Sequence, residues 1–152
     1  MKIGELPKLK DLTLITVLPQ TRVMDVTRQM AKFNIGIVVV VDDQGDVAGV
    51  LSERDILWCL GTMDTPLDEA IAGDLMTKKV VTISPEDSLV DAVIAMNANG
   101  IRHLIVVENN KPVEIISIRD VLQAFARQQL EGDGASDGRF ARQFVEALAS
   151  AA

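Results

Sequence analysis

The sequence predicts an α+β fold of two tandem β-α-β-β-α repeats, packed with pseudo-two-fold symmetry and followed by a C-terminal helix. Internal similarity is the first observation, because positions of the first half recur in the second half at a spacing of 66, which becomes 65 after the turn of each copy. The recurring pairs are Pro19 and Pro85, Asp25 and Asp91, Met30 and Met96, and Ile35 and Ile101. Size is the second observation, because one copy of about 50 residues is too small to bury a core alone. The two copies are therefore expected to pack sheet against sheet.

Each predicted element follows from a local pattern in both copies. The first strand, at residues 14–17 and 80–83, is rich in β-branched residues. The next element has apolar residues at i, i+3, i+4 and i+7, which predicts a helix. Asn34 and Gly100 follow it, and both suit the left-handed residue that ends a helix.

The runs at 35–41 and 101–107 are apolar without alternation, as for strands covered on both faces. Turn residues at 42–45 and 109–112 lead to a third strand at 47–51 and 113–116. The second helix of each copy is predicted to begin at Asp55 and at Asp120.

The remaining segments connect or extend the repeats. Thr65 and Pro66 have the pattern of an N-cap followed by proline, which predicts a short connecting helix to about Ala72. A C-terminal helix is predicted from the apolar stripe of Phe140, Phe144, Val145 and Leu148. The predicted boundaries are an N-terminal segment 1–13, repeat 14–61, connecting segment 62–79, repeat 80–130, flexible linker 131–138 and amphipathic helix 139–152.

Composition limits the classes of function. The 152 residues are 48% hydrophobic and include one cysteine, one histidine and a formal net charge of −7. These values exclude a disordered chain and a disulfide scaffold. The acidic balance argues against a nucleic-acid partner, because phosphate binding needs clustered Lys and Arg. No apolar run approaches membrane-spanning length, so no membrane association and a cytoplasmic location are expected. A metal site of several histidines is excluded.

One four-residue pattern occurs at both predicted strand-to-helix junctions: Ser-Glu-Arg-Asp at 52–55 and Ser-Ile-Arg-Asp at 117–120. One interpretation is a capping box, in which Ser accepts a hydrogen bond from the first turn and Asp reaches back. It does not explain the repeated Arg. The other interpretation is a nucleotide site, because helix amides and Arg suit phosphate, and a carboxylate accepts hydrogen bonds from ribose hydroxyls. The three residue types fit a nucleotide better than a cap alone.

These features resemble the cystathionine-β-synthase (CBS) domain, and two copies in tandem resemble a Bateman module, here a stand-alone bacterial-type CBS-domain protein. The similarity covers about residues 11–126. Its most specific parts are the two Ser-x-Arg-Asp junctions and the stretch Gly-Ile-Arg-His-Leu at 100–104. The second copy departs from the family pattern at Glu114, where the first copy has Gly49, a residue that permits close backbone approach.

The resemblance implies adenosine-type ligands in clefts between the repeats, with residues of both copies contributing. Asp55 and Asp120 are expected to bind ribose hydroxyls, and Ser52 and Ser117 to contact ribose or phosphate. Thr16 and Thr82 are expected beside adenine, and Ile37, His103 and Leu104 in the base and phosphate region. Arg54, Arg119 and Arg102 are expected to bind phosphate. The cleft built on Asp120 is favoured, because Arg102 and His103 belong to the same copy.

The implied ligand is AMP, ADP, ATP or NAD(H), with S-adenosylmethionine as a further candidate, and no cofactor is required. The implied role is regulatory, a homodimer that senses energy or redox state and acts in trans on an unidentified partner protein. Catalysis is not expected, because the sequence offers no convincing set of acid, base and nucleophile. The alternative is a ligand-free structural or dimerisation protein of the same fold, in which Ser52 and Ser117 are only caps.

Overall fold

The computed structural model describes residues 1–6, 14–62 and 66–131, together with the single positions 142 and 146. The chain divides into two compact units. The first-repeat unit contains residues 13–80 and 109–112, and the second-repeat unit contains residues 1–12, 81–108 and 113–152. Apart from Glu131 and the two single positions, the predicted linker and C-terminal helix lie outside the described residues.

The first-repeat unit contains a three-stranded sheet with helices packed against it. Its elements are β1 (Thr16–Val17), α1 (Val23–Phe33), β2 (Ile37–Val41), β3 (Val47–Ser52), α2 (Glu53–Thr62) and α3 (Ala72–Leu75). The strand order is β1-β2-β3, with β1 parallel to β2 and β2 antiparallel to β3. Val26, Val38 and Leu51 are fully buried in its core.

The second-repeat unit repeats this order. Its elements are a 3₁₀ turn (Ile3–Glu5), β4 (Thr82–Ile83), α4 (Leu89–Ala98), β5 (His103–Glu108), β6 (Lys111–Ser117, whose first two residues belong to the first-repeat unit) and α5 (Ile118–Glu131). The strand order is β4-β5-β6, with β4 parallel to β5. The β-α-β-β-α order predicted for both copies is therefore confirmed.

The predicted helix ends are confirmed, but the predicted helix starts are too late. Asn34 and Gly100 both have left-handed backbones, with φ of 51° and 61°. In contrast, α2 begins at Glu53 and α5 at Ile118, each directly after its strand. The reason is that the serine of each junction caps the helix, which places the aspartate inside the first turn rather than at its start.

The predicted connecting helix ending near Ala72 is wrong, and Thr65 lies outside the described residues. After Pro66 the chain makes a turn, in which the Glu69 N–H donates to the Pro66 carbonyl at 2.9 Å. Ile71 is then extended, with φ −112° and ψ 155°, because it pairs with Arg22 in an isolated β-bridge. The one-turn helix α3 begins only where the predicted helix should end.

Each unit also contains a short leading segment, which is the segment that precedes the other repeat in the sequence. Both leading segments are held by the same backbone contact. In the first-repeat unit the Gly73 N–H donates to the Pro19 carbonyl at 2.8 Å, and in the second-repeat unit the Gly4 N–H donates to the Pro85 carbonyl at 2.8 Å. A Cβ on Gly73 or Gly4 would lie 3.1 Å or 3.2 Å from the proline Cβ, so glycine allows this close approach. Residues 1–6 thus complete the unit of the second repeat, which was not predicted.

Candidate functional site

In the first-repeat unit, β3 runs directly into α2, and Ser52 and Asp55 close the junction. Asp55 Oδ2 accepts hydrogen bonds from the Ser52 N–H and from the Ser52 hydroxyl, both at 2.7 Å. The Asp55 N–H donates to Ser52 Oγ at 3.4 Å. This reciprocal arrangement is the capping box that the sequence allowed as the simpler interpretation.

The second-repeat unit contains the same arrangement between β6 and α5. Asp120 Oδ2 accepts from the Ser117 N–H at 2.7 Å and also from the Ser117 hydroxyl. The Asp120 N–H donates to Ser117 Oγ at 3.3 Å. The two junctions are therefore equivalent in geometry as well as in sequence.

A third capping box shows what this geometry means by itself. At the start of α4, Asp91 Oδ2 accepts from the Ser88 N–H at 2.9 Å and from the Ser88 hydroxyl at 2.6 Å. These hydrogen bonds from Ser88 lower the pKa of the Asp91 carboxyl below its ordinary value. Leu89 and Val90 follow Ser88, so this box has no arginine. A Ser–Asp box alone is therefore a helix cap, and the arginine distinguishes the two predicted sites.

The capping boxes leave hydrogen-bonding capacity at both junctions. Each uses only Oδ2, and Oδ1 of Asp55 and of Asp120 accepts no hydrogen bond from the residues that the structure describes. Arg54 and Arg119 lie exposed on the first turn and form no ion pair within the described ranges. A carboxylate oxygen and a guanidinium are thus available at each junction, a pair that can bind hydroxyls and an anion.

The predicted adenine-side threonines occupy equivalent places in the two units. Thr16 pairs with Val39 in a parallel register, and Thr82 pairs with Ile105 in the same way. Both threonines are exposed, whereas the next residue on each strand is buried. Since neighbouring strand residues point to opposite faces, the threonines lie on the face turned away from the core.

Ile37 and His103 lie near their junctions. Ile37 is the direct register partner of Ser52. His103 is half-buried, and its pKa is lowered mainly by burial and also by the Arg102 cation, while the Asp120 carboxylate acts in the opposite direction. The Arg102 carbonyl accepts the Ile118 N–H at 2.9 Å, which fixes the start of β5 beside the start of α5.

Leu104 differs from the other predicted site residues. Its side chain is 0% exposed and belongs to the core of the second-repeat unit. Any contact between Leu104 and a ligand is therefore restricted to its backbone.

Gly49 is closely approached by another segment of the same chain. A Cβ at Gly49 would lie 2.6 Å from Met76 Sδ and 3.1 Å from the Thr77 carbonyl oxygen. Thr77 forms a β-bridge with the neighbouring Val50 through two backbone hydrogen bonds of 3.1 Å and 2.9 Å. The missing side chain therefore allows residues 76–77 to extend the edge of β3. In the second repeat the half-buried Glu114 occupies the equivalent position.

Sequence reasoning missed one surface feature. In the first-repeat unit, α1 and α2 border an open groove with a volume of about 560 Å³. The sequence signal for this groove is the group of apolar residues Leu57, Trp58 and Leu60 of α2, because these side chains cannot all lie on the core-facing side of one helix.

Comparison with known proteins identifies the family. A family model described as the CBS domain matches residues 9–61 and 72–127. The chain belongs to the CBS-domain family. The uncharacterised 17.7 kDa protein of the bps2 3′ region in Acidianus ambivalens is 33% identical over 111 residues, which cover 71% of this chain and 65% of that protein. The mitochondrial CBS domain-containing protein CBSX3 of Arabidopsis thaliana is 32% identical over 113 residues, covering 72% and 55%. The chain thus spans less than two thirds of the length of these curated relatives.

The solved structures include CBS-domain proteins with ligands. The CBS domain protein PAE2072 of Pyrobaculum aerophilum, in complex with AMP, has a TM-score of 0.71 and is 26% identical. The alignment covers 84% of this CBS-domain chain and 99% of that protein. The described ranges of this CBS-domain protein contain no helix long and apolar enough to cross a membrane. They also contain no group of three or more His, Cys, Asp or Glu side chains placed to bind a metal ion.

Proposed function

We propose that this CBS-domain protein is a regulatory module that binds an adenosine nucleotide at its Ser-x-Arg-Asp junctions and acts in trans on a separate partner protein. The observation that carries the proposal is the junction geometry. In both repeats the cap engages one carboxylate oxygen and leaves the other oxygen, together with an exposed arginine, available to a ligand. The AMP complex of the P. aerophilum relative supports an adenosine ligand.

The proposed contacts divide the ligand between two kinds of group. Oδ1 of Asp55 or Asp120 accepts hydrogen bonds from ribose hydroxyls, since an ionised carboxylate is an acceptor only. Arg54 or Arg119 binds phosphate, for which a guanidinium has suitable paired donors. His103 is neutral above its lowered pKa, so near neutral pH it would contact phosphate as a hydrogen-bond donor rather than as a cation.

The same proposal covers the biological role. The protein senses energy or redox state through AMP, ADP, ATP or NAD(H), or takes S-adenosylmethionine, since all these molecules share the adenosine moiety. It forms a homodimer in the cytoplasm and is not an enzyme. Ligand can shift the module between two arrangements only by binding one of them more tightly, so the partner must recognise one arrangement.

The test is thermal unfolding with adenosine ligands, with their guanosine counterparts as the negative set. Ligand at 100 times its Kd should stabilise the fold by about 2.7 kcal/mol. Asp55→Ala and Asp120→Ala should reduce or abolish the shift. Asp91→Ala is the matched control, because it removes a capping box of the same geometry that has no arginine. It should cost about 1 kcal/mol of stability and leave the ligand shift unchanged.

If the Asp55→Ala, Asp120→Ala and double variants all bind AMP as the parent does, the ribose assignment is wrong. If only one single variant loses the shift, that junction is the occupied one, as expected for Asp120.

A second candidate function is a structural assembly protein, and it is favoured because the capping boxes form without a ligand. Ser52 and Asp55 bind each other, as Ser88 and Asp91 do where no ligand is proposed. Release of 260 nm absorbance on denaturing the purified protein would argue against this candidate. No thermal shift, even after unfolding, stripping and refolding, would favour this candidate over nucleotide sensing.

A further inference from the structure

The two Ser-x-Arg-Asp junctions can be compared residue by residue with the start of the strand beside them, at 36–37 and 102–103. The same backbone hydrogen bond joins the two parts in both units. The Glu53 N–H donates to the Gly36 carbonyl at 3.0 Å, and the Ile118 N–H donates to the Arg102 carbonyl at 2.9 Å. Glu53 and Ile118 are therefore equivalent positions, and so are Gly36 and Arg102.

These equivalent positions differ in charge. In the first-repeat unit Glu53 is exposed, and its carboxylate lies against Gly36, where a Cβ would be 3.0 Å from Glu53 Oε2. In the second-repeat unit Arg102 is exposed, and the half-buried Ile118 occupies the place of the glutamate. The first junction therefore has two carboxylates and one guanidinium, a formal charge of −1, and the second has one carboxylate and two guanidiniums, a formal charge of +1.

The next position of each strand differs in the same direction. Ile37 is the register partner of the capping Ser52, and the equivalent residue of the second repeat is the half-buried His103. A neutral imidazole can donate a hydrogen bond to a phosphate oxygen, whereas an isoleucine side chain offers only apolar contact. Donors and positive charge are thus concentrated at one of two junctions that have the same cap.

We propose that the two junctions bind different adenosine compounds: the Asp120 junction binds a compound with a phosphate, and the Asp55 junction binds a compound without one. Arg102 and Glu53 determine the difference. The proposal rests on the proposed function and adds the class of ligand that each junction takes.

Electrostatics gives the physical reason. A phosphate ester has a charge of roughly −1.5 to −2 near neutral pH. At the first junction Glu53 directly precedes Arg54, well within the Debye length of about 8 Å, so a phosphate on Arg54 would lie beside a like charge. At the second junction Arg102 adds a guanidinium to that of Arg119. A compound without phosphate avoids the repulsion and still has Asp55 Oδ1 for its ribose.

Variants with one junction intact test the assignment by calorimetric titration with AMP, ATP, adenosine and S-adenosylmethionine. Asp55→Ala keeps the Asp120 junction, and Asp120→Ala keeps the Asp55 junction. We expect Asp55→Ala to bind AMP at least about tenfold more tightly than Asp120→Ala does. Asp120→Ala should bind adenosine or S-adenosylmethionine at least about tenfold more tightly than AMP. AMP binding to Asp55→Ala should weaken as the salt concentration rises, whereas adenosine binding to Asp120→Ala should not.

A matched pair of variants in the Asp55→Ala background separates local from overall charge. Arg102→Gln and Arg127→Gln each remove one exposed guanidinium of the second-repeat unit. Arg127 lies about two helical turns beyond Asp120, roughly 10 Å along α5. Arg102→Gln should weaken AMP binding about tenfold, and Arg127→Gln by no more than about twofold. Equal weakening by both variants would show that overall charge sets the affinity and would overturn the role of Arg102.

An exchange of residues provides a test by gain of binding, which a misfolded variant cannot imitate. Gly36→Arg combined with Glu53→Ile, in the Asp120→Ala background, gives the Asp55 junction the residues of the other. Gly36 is not among the described glycines that have a positive φ, and Glu53→Ile removes the oxygen that a new Cβ would meet. AMP binding to this variant should be at least about tenfold tighter than to Asp120→Ala alone. No gain in a variant that circular dichroism shows to be folded would overturn the proposal.

The remaining outcomes distinguish this proposal from the proposed function. Equal AMP affinity of Asp55→Ala and Asp120→Ala would overturn the division between the junctions and leave nucleotide sensing standing. If the parent protein, stripped of ligand by unfolding and refolding, binds none of the four compounds, the proposed function fails and this proposal fails with it.

Discussion

The Gly49 backbone lies so close to the Met76 side chain that no other residue fits at position 49 without a shift, since an added Cβ would lie 2.6 Å from Met76 Sδ. The contact holds residues 76–77 against the edge of β3, one strand position from the Val50–Thr77 bridge. A glycine that sequence reasoning associated with close approach thus has its reason inside the first-repeat unit.

Gly49→Ala is therefore expected to destabilise the protein by about 1–3 kcal/mol, the usual cost of overpacking. Met76→Ala removes the atom that the new Cβ would meet, so in that background the cost of Gly49→Ala should fall by about 1 kcal/mol or more. Urea unfolding of the four proteins of this cycle measures the coupling. Strictly additive effects would show that Met76 is not the obstacle.

Ile3 provides a test of the docked leading segment. Its side chain is 1% exposed and lies in the core of the second-repeat unit. Ile3→Ala should cost about 2–5 kcal/mol, as for a large apolar side chain deleted from a core. Ile94→Ala is the control, because Ile94 on α4 is 48% exposed. Similar losses for the two variants in urea unfolding would contradict the buried position of Ile3.

The pH dependence of stability should contain a contribution from Asp91. Its pKa is lowered from the ordinary value of 3.8, with the Ser88 side-chain hydrogen bond as the largest cause. The folded state therefore binds this proton less readily than the unfolded state, so the stabilisation is complete above the unfolded pKa and is lost as pH falls. The difference in free energy of unfolding between parent and Asp91→Asn should accordingly shrink below about pH 3.8. A constant difference across that range would be inconsistent with the Ser88 hydrogen bonds.

His103 should titrate below its ordinary pKa of 6.5, chiefly because of burial. The neutral form is favoured in the folded state, so its contribution is present above the unfolded pKa and is lost as pH falls through the folded pKa. Since His103 is the sole histidine, its imidazole signals in an NMR titration are unambiguous. Asp120→Asn removes an interaction that raises the pKa and should lower it further. An unchanged or higher pKa in that variant would mean that the Asp120 carboxylate does not act on His103.

Local pattern and duplication made most of the fold predictable. The apolar runs formed β2 and β5, and the left-handed residues Asn34 and Gly100 ended their helices. These features were predictable because each is determined by residues nearby in the sequence. The prediction of a connecting helix was wrong because a tertiary contact, the pairing of Ile71 with Arg22, overrides the local helix signal. The docking of residues 1–6 has no local signature at all, since its partners are distant in the chain.

The candidate site was predictable to the same degree. Spacing alone gave the paired Ser and Asp of each junction, and the structure adds the oxygen-by-oxygen arrangement. The burial of Leu104 follows from the continuous apolar run at 101–107, which predicts a strand covered on both faces, whereas the resemblance placed this residue at the ligand. The capping box of α4 has the same Ser-x-x-Asp spacing in the sequence, at Ser88 and Asp91, and the hydrogen bonds confirm it.

Each repeat packs with the short segment that precedes the other repeat in the sequence, and this exchange affects when each repeat can fold during synthesis. Ile3–Glu5 belongs with the second repeat, and Ala72–Leu75 belongs with the first. During synthesis the first repeat must therefore wait for residues beyond its own end, while the opening residues wait for the second repeat to emerge. A chain severed just before Ala72 would give two fragments, each holding the piece that the other lacks, and we expect them to regain order only when mixed.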